Sequence, residues 1–74
     1  MKYYFIETQH LSDGTAAQAI YAKESFDSAL AAFHASMAYA MQGTAVEKVM
    51  CMVVDEDGYA YKSEVWKRAE DDDA

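Results

Sequence analysis

The sequence predicts an α+β fold in the order ββαββ, with a four-stranded antiparallel sheet and one helix packed on one face. Three features predict it: aromatic and β-branched residues open the chain, an alanine-rich segment with helical periodicity follows, and Asp-Gly pairs at 13–14 and 57–58 supply tight turns. The 74 residues allow one small domain, which we assign to residues 1–68. We expect residues 69–74 to be an acidic, disordered tail.

The first two strands are predicted to form a hairpin. Residues 2–9 favour a strand, and the turn at 12–14 contains Gly14, because glycine accepts the positive φ of tight hairpin loops. Residues 15–23 return as the second strand, although their alanine content would also suit a helical segment. Alternation in the first strand defines two faces, with Tyr4, Ile6 and Thr8 on one and Tyr3, Phe5 and Glu7 on the other.

A single helix is predicted between Ser25, a good N-cap residue, and Gly43, which ends the helix as a C′ glycine. Asp27 complements the helix dipole in the first turn. The apolar stripe recurs at spacings of three and four residues and consists of Phe26, Leu30, Phe33, Met37, Ala40 and Met41. The opposite side, which we call the helix back, has no lysine or glutamate and consists of Ser28, Ala31, Ala32, Ala35, Tyr39 and Gln42.

The last two strands are predicted to form a second hairpin. Residues 46–54 are bulky at nearly every position, which is typical of a central strand. Residues 55–58, Asp-Glu-Asp-Gly, form the turn; a calcium loop is rejected because its glycine would be sixth and a glutamate twelfth. In residues 59–67, alternation predicts Tyr59, Tyr61, Ser63 and Val65 on one side and Ala60, Lys62, Glu64 and Trp66 on the other.

Charge and composition disfavour several classes of function. Thirteen acids and six bases give a net charge of −7; without the four acids at 70–73, nine acids against six bases leave −3. Scattered bases argue against binding the phosphates of nucleic acids. No apolar stretch approaches the roughly 18 residues of a membrane helix. The single cysteine cannot form an intramolecular disulfide, so we expect a cytoplasmic protein.

The sequence suggests no catalytic or metal-binding constellation. His10, His34 and Cys51 are too few for a structural zinc site, and glycine-rich phosphate loops are absent. His34 is predicted at the edge of the core, and Cys51 is interpreted as a small core residue. The methionines predicted to fill the core are Met37, Met41, Met50 and Met52. We therefore expect a non-enzymatic protein without cofactors.

The predicted layout leaves apolar surface exposed, because one helix covers only one face of the sheet. A homodimer, or a host protein partner, is the simplest way to cover the other face or the helix back. Aromatic side chains are common interface anchors. Depending on which face the helix covers, the predicted interface residues are Tyr3, Phe5, Tyr39, Tyr59 and Tyr61.

Short motifs along the chain carry a resemblance. The chain opens with MKYYFIETQ, and further motifs are Asp13-Gly14-Thr15, Phe33-His34, Asp55-Glu56, Gly58-Tyr59, Lys62, Glu64 and Trp66-Lys67. In these the sequence resembles a family of short proteins of unassigned activity, encoded in prophages and mobile elements of gut bacteria, that open with MKYYxIExQ followed by DGT. Asp57 and the acidic tail depart from that pattern. The resemblance implies a phage or mobile-element setting and assigns no catalytic residue.

Two functions follow as hypotheses. The first is a small, homodimeric protein-interaction module. The alternative is an acidic inhibitor that mimics nucleic acid and blocks a host defence or regulatory protein, which requires carboxylates ordered on a face at roughly phosphate spacing.

Overall fold

The computed structural model describes residues 1–68, and it confirms the predicted α+β fold. The elements are β1 (Tyr3–Leu11), β2 (Ala16–Lys23), α1 (Phe26–Gln42), β3 (Val46–Asp55) and β4 (Ala60–Lys67). The strands form one antiparallel sheet in the order β2-β1-β3-β4, and α1 packs on one of its faces. The acidic tail predicted at 69–74 lies outside the described residues.

Both hairpins close with a tight loop that ends on a glycine of positive φ. In the first, the N–H of Gly14 donates to the carbonyl of Leu11 at 3.0 Å, and the N–H of Leu11 donates to the carbonyl of Thr15 at 2.8 Å. In the second, the N–H of Gly58 donates to the carbonyl of Asp55 at 2.9 Å. The φ angles of Gly14 and Gly58 are +92° and +89°. Residues other than glycine rarely adopt such angles, so each Asp-Gly pair sets its turn.

The helix begins at the predicted cap, where the Ser25 hydroxyl accepts a hydrogen bond from the N–H of Ser28 at 3.1 Å. Four of the six predicted stripe residues lie in or against the core, and the prediction omits one buried residue. Ala29 is fully buried, and its short side chain lets the helix backbone lie close to the sheet, whereas Leu30 is only half-buried and Met41 is exposed. The buried helix residues are Ala29, Phe33, Met37 and Ala40.

The carboxyl end of α1 is held by Arg68, the residue that follows β4. The last turn of α1 has no basic residue of its own. The Arg68 guanidinium supplies a positive charge at the negative end of the helix dipole and ties α1 to the sheet. Its Nη2 donates to the carbonyl oxygens of Ala40, Gly43 and Val46 at 3.1, 2.6 and 2.9 Å.

The core lies between α1 and the two central strands, β1 and β3. Cys51 is completely buried in it, which confirms the prediction of a core cysteine. The prediction that Phe5 is a surface aromatic is wrong: Phe5 points toward α1 and is only 3% exposed. The buried apolar side chains are Phe5, Ala29, Phe33, Met37, Ala40, Val46, Val49, Cys51 and Val53.

A β-bulge in β4 breaks the alternation predicted for that strand. The register shifts between Val53 and Val54, which leaves Tyr61 as the extra residue on β4. The Tyr61 ring therefore turns toward the helix side, where its centroid lies 5.4 Å from that of Phe26 and 5.8 Å from that of Tyr3. The predicted position of Tyr61 on the opposite side of β4 is wrong for this reason.

Candidate interaction face of the sheet

The face of the sheet that α1 leaves uncovered carries apolar side chains from all four strands. Successive residues of a strand point to opposite faces, so the neighbours of the buried residues in β1 and β3 point away from the helix. We call this surface the open face. Its apolar members are Tyr4, Ile6, Ile20, Met50, Met52, Val54 and Val65.

The strand register aligns the open face in rows. Ile20 and Val65, on the outer strands, are 64% and 59% exposed, whereas the apolar members on β1 and β3 are half-buried by their neighbours. The side chains therefore form one continuous apolar surface. From one end, the first three rows are Ala22-Tyr4-Val54-Ala60, Ile20-Ile6-Met52-Ser63 and Gln18-Thr8-Met50-Val65.

The fourth row of the open face is basic. His10 pairs with Lys48, and Lys48 pairs with Lys67 on the next strand. None of the four rows contains a carboxylate, although the chain has a net charge of −7. The open face is therefore apolar in its centre and cationic at one end.

The opposite end of the sheet is acidic. The turn between β3 and β4 carries Asp55, Glu56 and Asp57, and Glu24 follows the end of β2. Lys2 pairs with Glu24 at 2.6 Å, which neutralises part of this charge. The two ends of the open face thus adjoin groups of opposite charge.

Asp55 organises the acidic turn from a buried position, with 6% of its surface exposed. Its Oδ1 accepts hydrogen bonds from the N–H groups of Asp57 and Tyr59 at 2.9 and 3.0 Å, and its Oδ2 accepts one from the Tyr61 hydroxyl at 3.0 Å. Burial alone would raise the pKa of Asp55, but these bonds outweigh it and lower the pKa. The hydrogen bond to Asp55 also raises the pKa of Tyr61 to about 12.

A second polar cluster lies under the helix. The Ser36 hydroxyl donates to the Glu7 carboxylate, the Cys51 thiol donates to Ser36 Oγ at 3.7 Å, and Gln9 Nε2 donates to Glu7 at 3.3 Å. Burial raises the pKa of the Cys51 thiol, so it stays neutral at physiological pH. His34 is exposed and takes no part in the cluster. The arrangement is a packed polar network whose thiol is closed to solvent.

The structure does not bring the five predicted interface residues together on the open face. Phe5 is in the core, and Tyr3 is half-buried on the helix side of the sheet. The ring centroids of Tyr59 and Tyr61 lie 4.8 Å apart beside the acidic turn. Tyr39 stands apart from these on the helix back and is 64% exposed.

Sequence reasoning missed the open face because it followed the aromatic residues, most of which lie on the other side. Met50 and Met52, predicted to fill the core, are half-buried on the open face, so that prediction is wrong. The position of the carboxylates was the available signal: Glu7 and Glu64 both pair with Cys51 and share its face. The strand residues that point to the open face include no acidic residue.

A shallow groove of about 380 Å³ lies beside the carboxyl end of α1. No acidic or basic side chain contributes to it, so it offers no charged group to a ligand. Its lining residues are Tyr39, Gln42, Gly43, Thr44, Ala45 and Val46. Within residues 1–68, no group of three or more His, Cys, Asp or Glu side chains is placed to hold a metal ion. In the same part of the chain, no helix has the length and apolar character to cross a bilayer.

The nucleic-acid-mimicking alternative needs carboxylates that are free and ordered along one face. On the strands, Glu64 pairs with Lys62 at 2.9 Å, and Glu47 lies 3.8 Å from Arg68. The tail acids lie outside the described residues. Mimicry stays a prediction.

Comparison of the chain with models of known protein families, with curated proteins and with solved structures finds no match. The function must therefore be inferred from the geometry of this molecule. The resemblance to prophage and mobile-element proteins stays a prediction.

Proposed function

We propose that the protein is a small, non-enzymatic interaction module that forms a homodimer by packing two open faces together. One observation carries this proposal: the open face is a continuous apolar surface across four strands, and it is free of carboxylates in a chain with a net charge of −7. Contiguous apolar surface of this extent marks interaction sites in small monomeric domains. The resemblance of the chain to prophage and mobile-element proteins supports a phage or mobile-element origin.

The open face is large enough for a dimer contact. The shorter strands, β2 and β4, have 8 residues each. With strands about 4.8 Å apart and a rise of about 3.3 Å per residue, the face measures roughly 19 by 25 Å. Two such faces remove roughly 1,000 Å² from water, which is about the minimum area of a biological interface.

Charge favours a second copy as the occupant and selects its orientation. A two-fold axis that runs across the strands at the level of Glu7 brings the basic row of each copy next to the acidic turn of the other. Lys48 and Lys67 then lie over the row of Val54 and Ala60 in the second copy, from which their long side chains reach toward the acidic turn, with the sheets crossing at about 30°. An axis along the strands would instead stack the two basic rows, which is unfavourable.

The decisive experiment measures molecular mass by sedimentation equilibrium over a range of protein concentrations. We expect the wild-type protein to exceed the monomer mass of 8.3 kDa. Ile6→Lys places a charge in the centre of the open face and should weaken association at least tenfold, because the buried charge would have no partner. Circular dichroism should show that the variant stays folded, since Ile6 lies on the uncovered side.

The matched control is Tyr39→Glu on the helix back, which should leave association unchanged. A folded Ile6→Lys protein with wild-type mass would contradict the proposal. Loss of association in Tyr39→Glu would move the contact to the helix back. A wild-type protein that stays monomeric at high concentration would exclude the homodimer and favour a host protein as the occupant.

A further inference from the structure

The two edges of the sheet are protected to different degrees against pairing with strands of other chains. The edge formed by β4 has the bulge at Tyr61 and the charged residues Lys62, Glu64 and Lys67. Bulges and charges are the devices that keep edge strands from pairing with other chains. The edge formed by β2 has neither, because residues 16–22 contain no charge and no proline and pair with β1 without a register shift.

The hairpin shows which backbone groups of β2 are free. Leu11 and Thr15 form a hydrogen-bonded pair, with a distance of 2.8 Å from the Leu11 nitrogen to the Thr15 oxygen. Hydrogen-bonded and non-hydrogen-bonded pairs alternate along an antiparallel ladder, so the odd-numbered residues of β2 bond to β1. The residues whose N–H and C=O groups point away from the sheet are Ala16, Gln18, Ile20 and Ala22.

We infer that β2 pairs antiparallel with β2 of a second copy and joins the two sheets into one eight-stranded sheet. The two-fold axis is normal to the sheet and passes beside Ala19. Gln18 then pairs with Ile20 of the second copy, and Ala16 pairs with Ala22. The outward groups of these residues form about eight N–H···O bonds between the copies.

The side chains of β2 fit this register, and this fit favours a second copy over an unrelated strand. On the helix side, Tyr21, which is 47% exposed, lies opposite Ala17 of the second copy, so a large ring meets a small side chain. Ala19 lies opposite itself. Lys23 lies opposite Thr15, so the pairing brings no like charges together.

The edge pairing goes beyond the proposed open-face dimer and is compatible with it. Ala19 pairs with Glu7 across the hairpin, so the axis at Ala19 lies at the same level along the strands as the axis of the open-face dimer. The two axes are perpendicular and meet. The two contacts together close a tetramer with three perpendicular two-fold axes, which has no free β2 edge and no uncovered open face.

Cysteine cross-linking tests the edge pairing directly. Ala19→Cys places two thiols across the axis in a non-hydrogen-bonded pair, with Cα atoms about 4.5 Å apart, within the range of a disulfide. We expect oxidised glutathione to convert most of this variant to a covalent dimer on a non-reducing gel. The native Cys51 is completely buried and should not react.

Ala17→Cys is the matched control. In the proposed register the Cα atoms of position 17 in the two copies are about 14 Å apart, too far for a disulfide. Cross-linking of both variants to the same extent would overturn the register. Failure of Ala19→Cys to cross-link at a concentration where the wild-type protein is associated would overturn the edge pairing.

Two double variants separate the edge pairing from the open-face dimer. Ala19→Cys combined with Ile6→Lys should still cross-link, because Ile6 lies on the open face; loss of the cross-link there would overturn a separate edge contact. Ala19→Cys combined with Gln18→Pro should cross-link at least tenfold less, because proline removes an outward N–H while the bonds to β1 remain. Undiminished cross-linking would contradict the predicted hydrogen bonds.

Discussion

The two faces of the sheet are built by the same four strands and differ in where their polar groups lie. The helix-covered face contains Glu7, Cys51 and Asp55, whose side chains are all hydrogen-bonded. The open face contains no carboxylate in its four rows and leaves Ile20 and Val65 largely exposed. Glu7, Asp55 and Glu64 therefore lie on the helix side of the sheet, where Glu64, on the outer strand β4, is exposed.

This difference shows that hydropathy alone does not identify the buried face of a sheet. A carboxylate is tolerated under a helix when specific donors meet it, as Ser36 meets Glu7. An apolar side chain can remain exposed when another copy of the chain is available to cover it. The covered face thus depends on contacts within the chain, and in the proposed dimer the open face depends on contacts between chains.

The largest expected effect on the free energy of unfolding comes from comparing two neighbouring residues of β1 that point to opposite faces. Phe5→Ala should lower the free energy of unfolding by about 3–5 kcal/mol, which is close to the whole stability of a small domain. Tyr4→Ala should cost less, and its cost should grow with protein concentration, because association stabilises the folded state. Urea unfolding at two protein concentrations checks both, and equal, concentration-independent losses would remove the distinction between the faces.

The next largest effect concerns what holds the helix over its face. Arg68→Met removes three hydrogen bonds to backbone carbonyls and should lower the free energy of unfolding by about 1–3 kcal/mol. Hydrogen exchange should be fastest in the last turn of α1. The control is Lys67→Met, the neighbouring residue on the open face, whose effect should stay within about 0.5 kcal/mol. Equal losses would show that the Arg68 contacts add little.

A moderate effect should appear in the pH dependence of unfolding. The lowered pKa of Asp55 contributes stability above the ordinary pKa of about 3.9, and this contribution should fade as the pH falls through the folded value. The pKa of Tyr61, raised to about 12, contributes stability below about pH 10 that should fade between about pH 10 and 12.

Thermal unfolding from about pH 2 to 7 checks the acid limb, on which the melting temperature of Asp55→Asn should vary less than that of the wild-type protein. Between about pH 10 and 12, the melting temperature of Tyr61→Phe should likewise vary less than that of the wild-type protein. If the melting temperature of either variant varied with pH as steeply as that of the wild-type protein, the hydrogen bond between Asp55 and Tyr61 would not be the source of that pH dependence.

The smallest effect concerns the charged ends of the open face. Lys48→Glu should weaken the open-face dimer by about 2- to 5-fold, because exposed ion pairs contribute about 0.2–1 kcal/mol. Adding Glu56→Lys should restore part of the association in low salt. A Lys48→Glu protein that associates as tightly as the wild type in low salt would rule out the proposed orientation of the two copies.

Much of the fold could be predicted because its signals are local. Ser25 and Gly43 bound the helix. Each turn is set by a glycine of positive φ together with a nearby aspartate that accepts hydrogen bonds from N–H groups of the same turn. The second strand, whose alanine content would also suit a helix, forms over residues 16–23.

The choice of the buried face could not be predicted, because alternation divides a strand into two faces without saying which one the helix covers. Glu7 has the sequence signature of a solvent-exposed position, and its partner Ser36 comes from a distant segment. The bulge at Tyr61 depends likewise on the register with β3. The aromatic residues therefore do not mark the open face. It is marked better by the carboxylates, which are absent from the strand residues that point to it.

The strand order also determines how this chain reaches its native state. Each hairpin is local, and hairpins form in about 1–10 μs, whereas the central pairing joins Tyr3 to Asp55 near the other end of the domain. Closing that long loop costs chain entropy before the pairing compensates for it, so docking of the two hairpins should limit the folding rate. The chain has no proline, so no slow isomerisation phase should follow. Refolding of the dilute protein in a stopped-flow instrument should therefore show a single exponential.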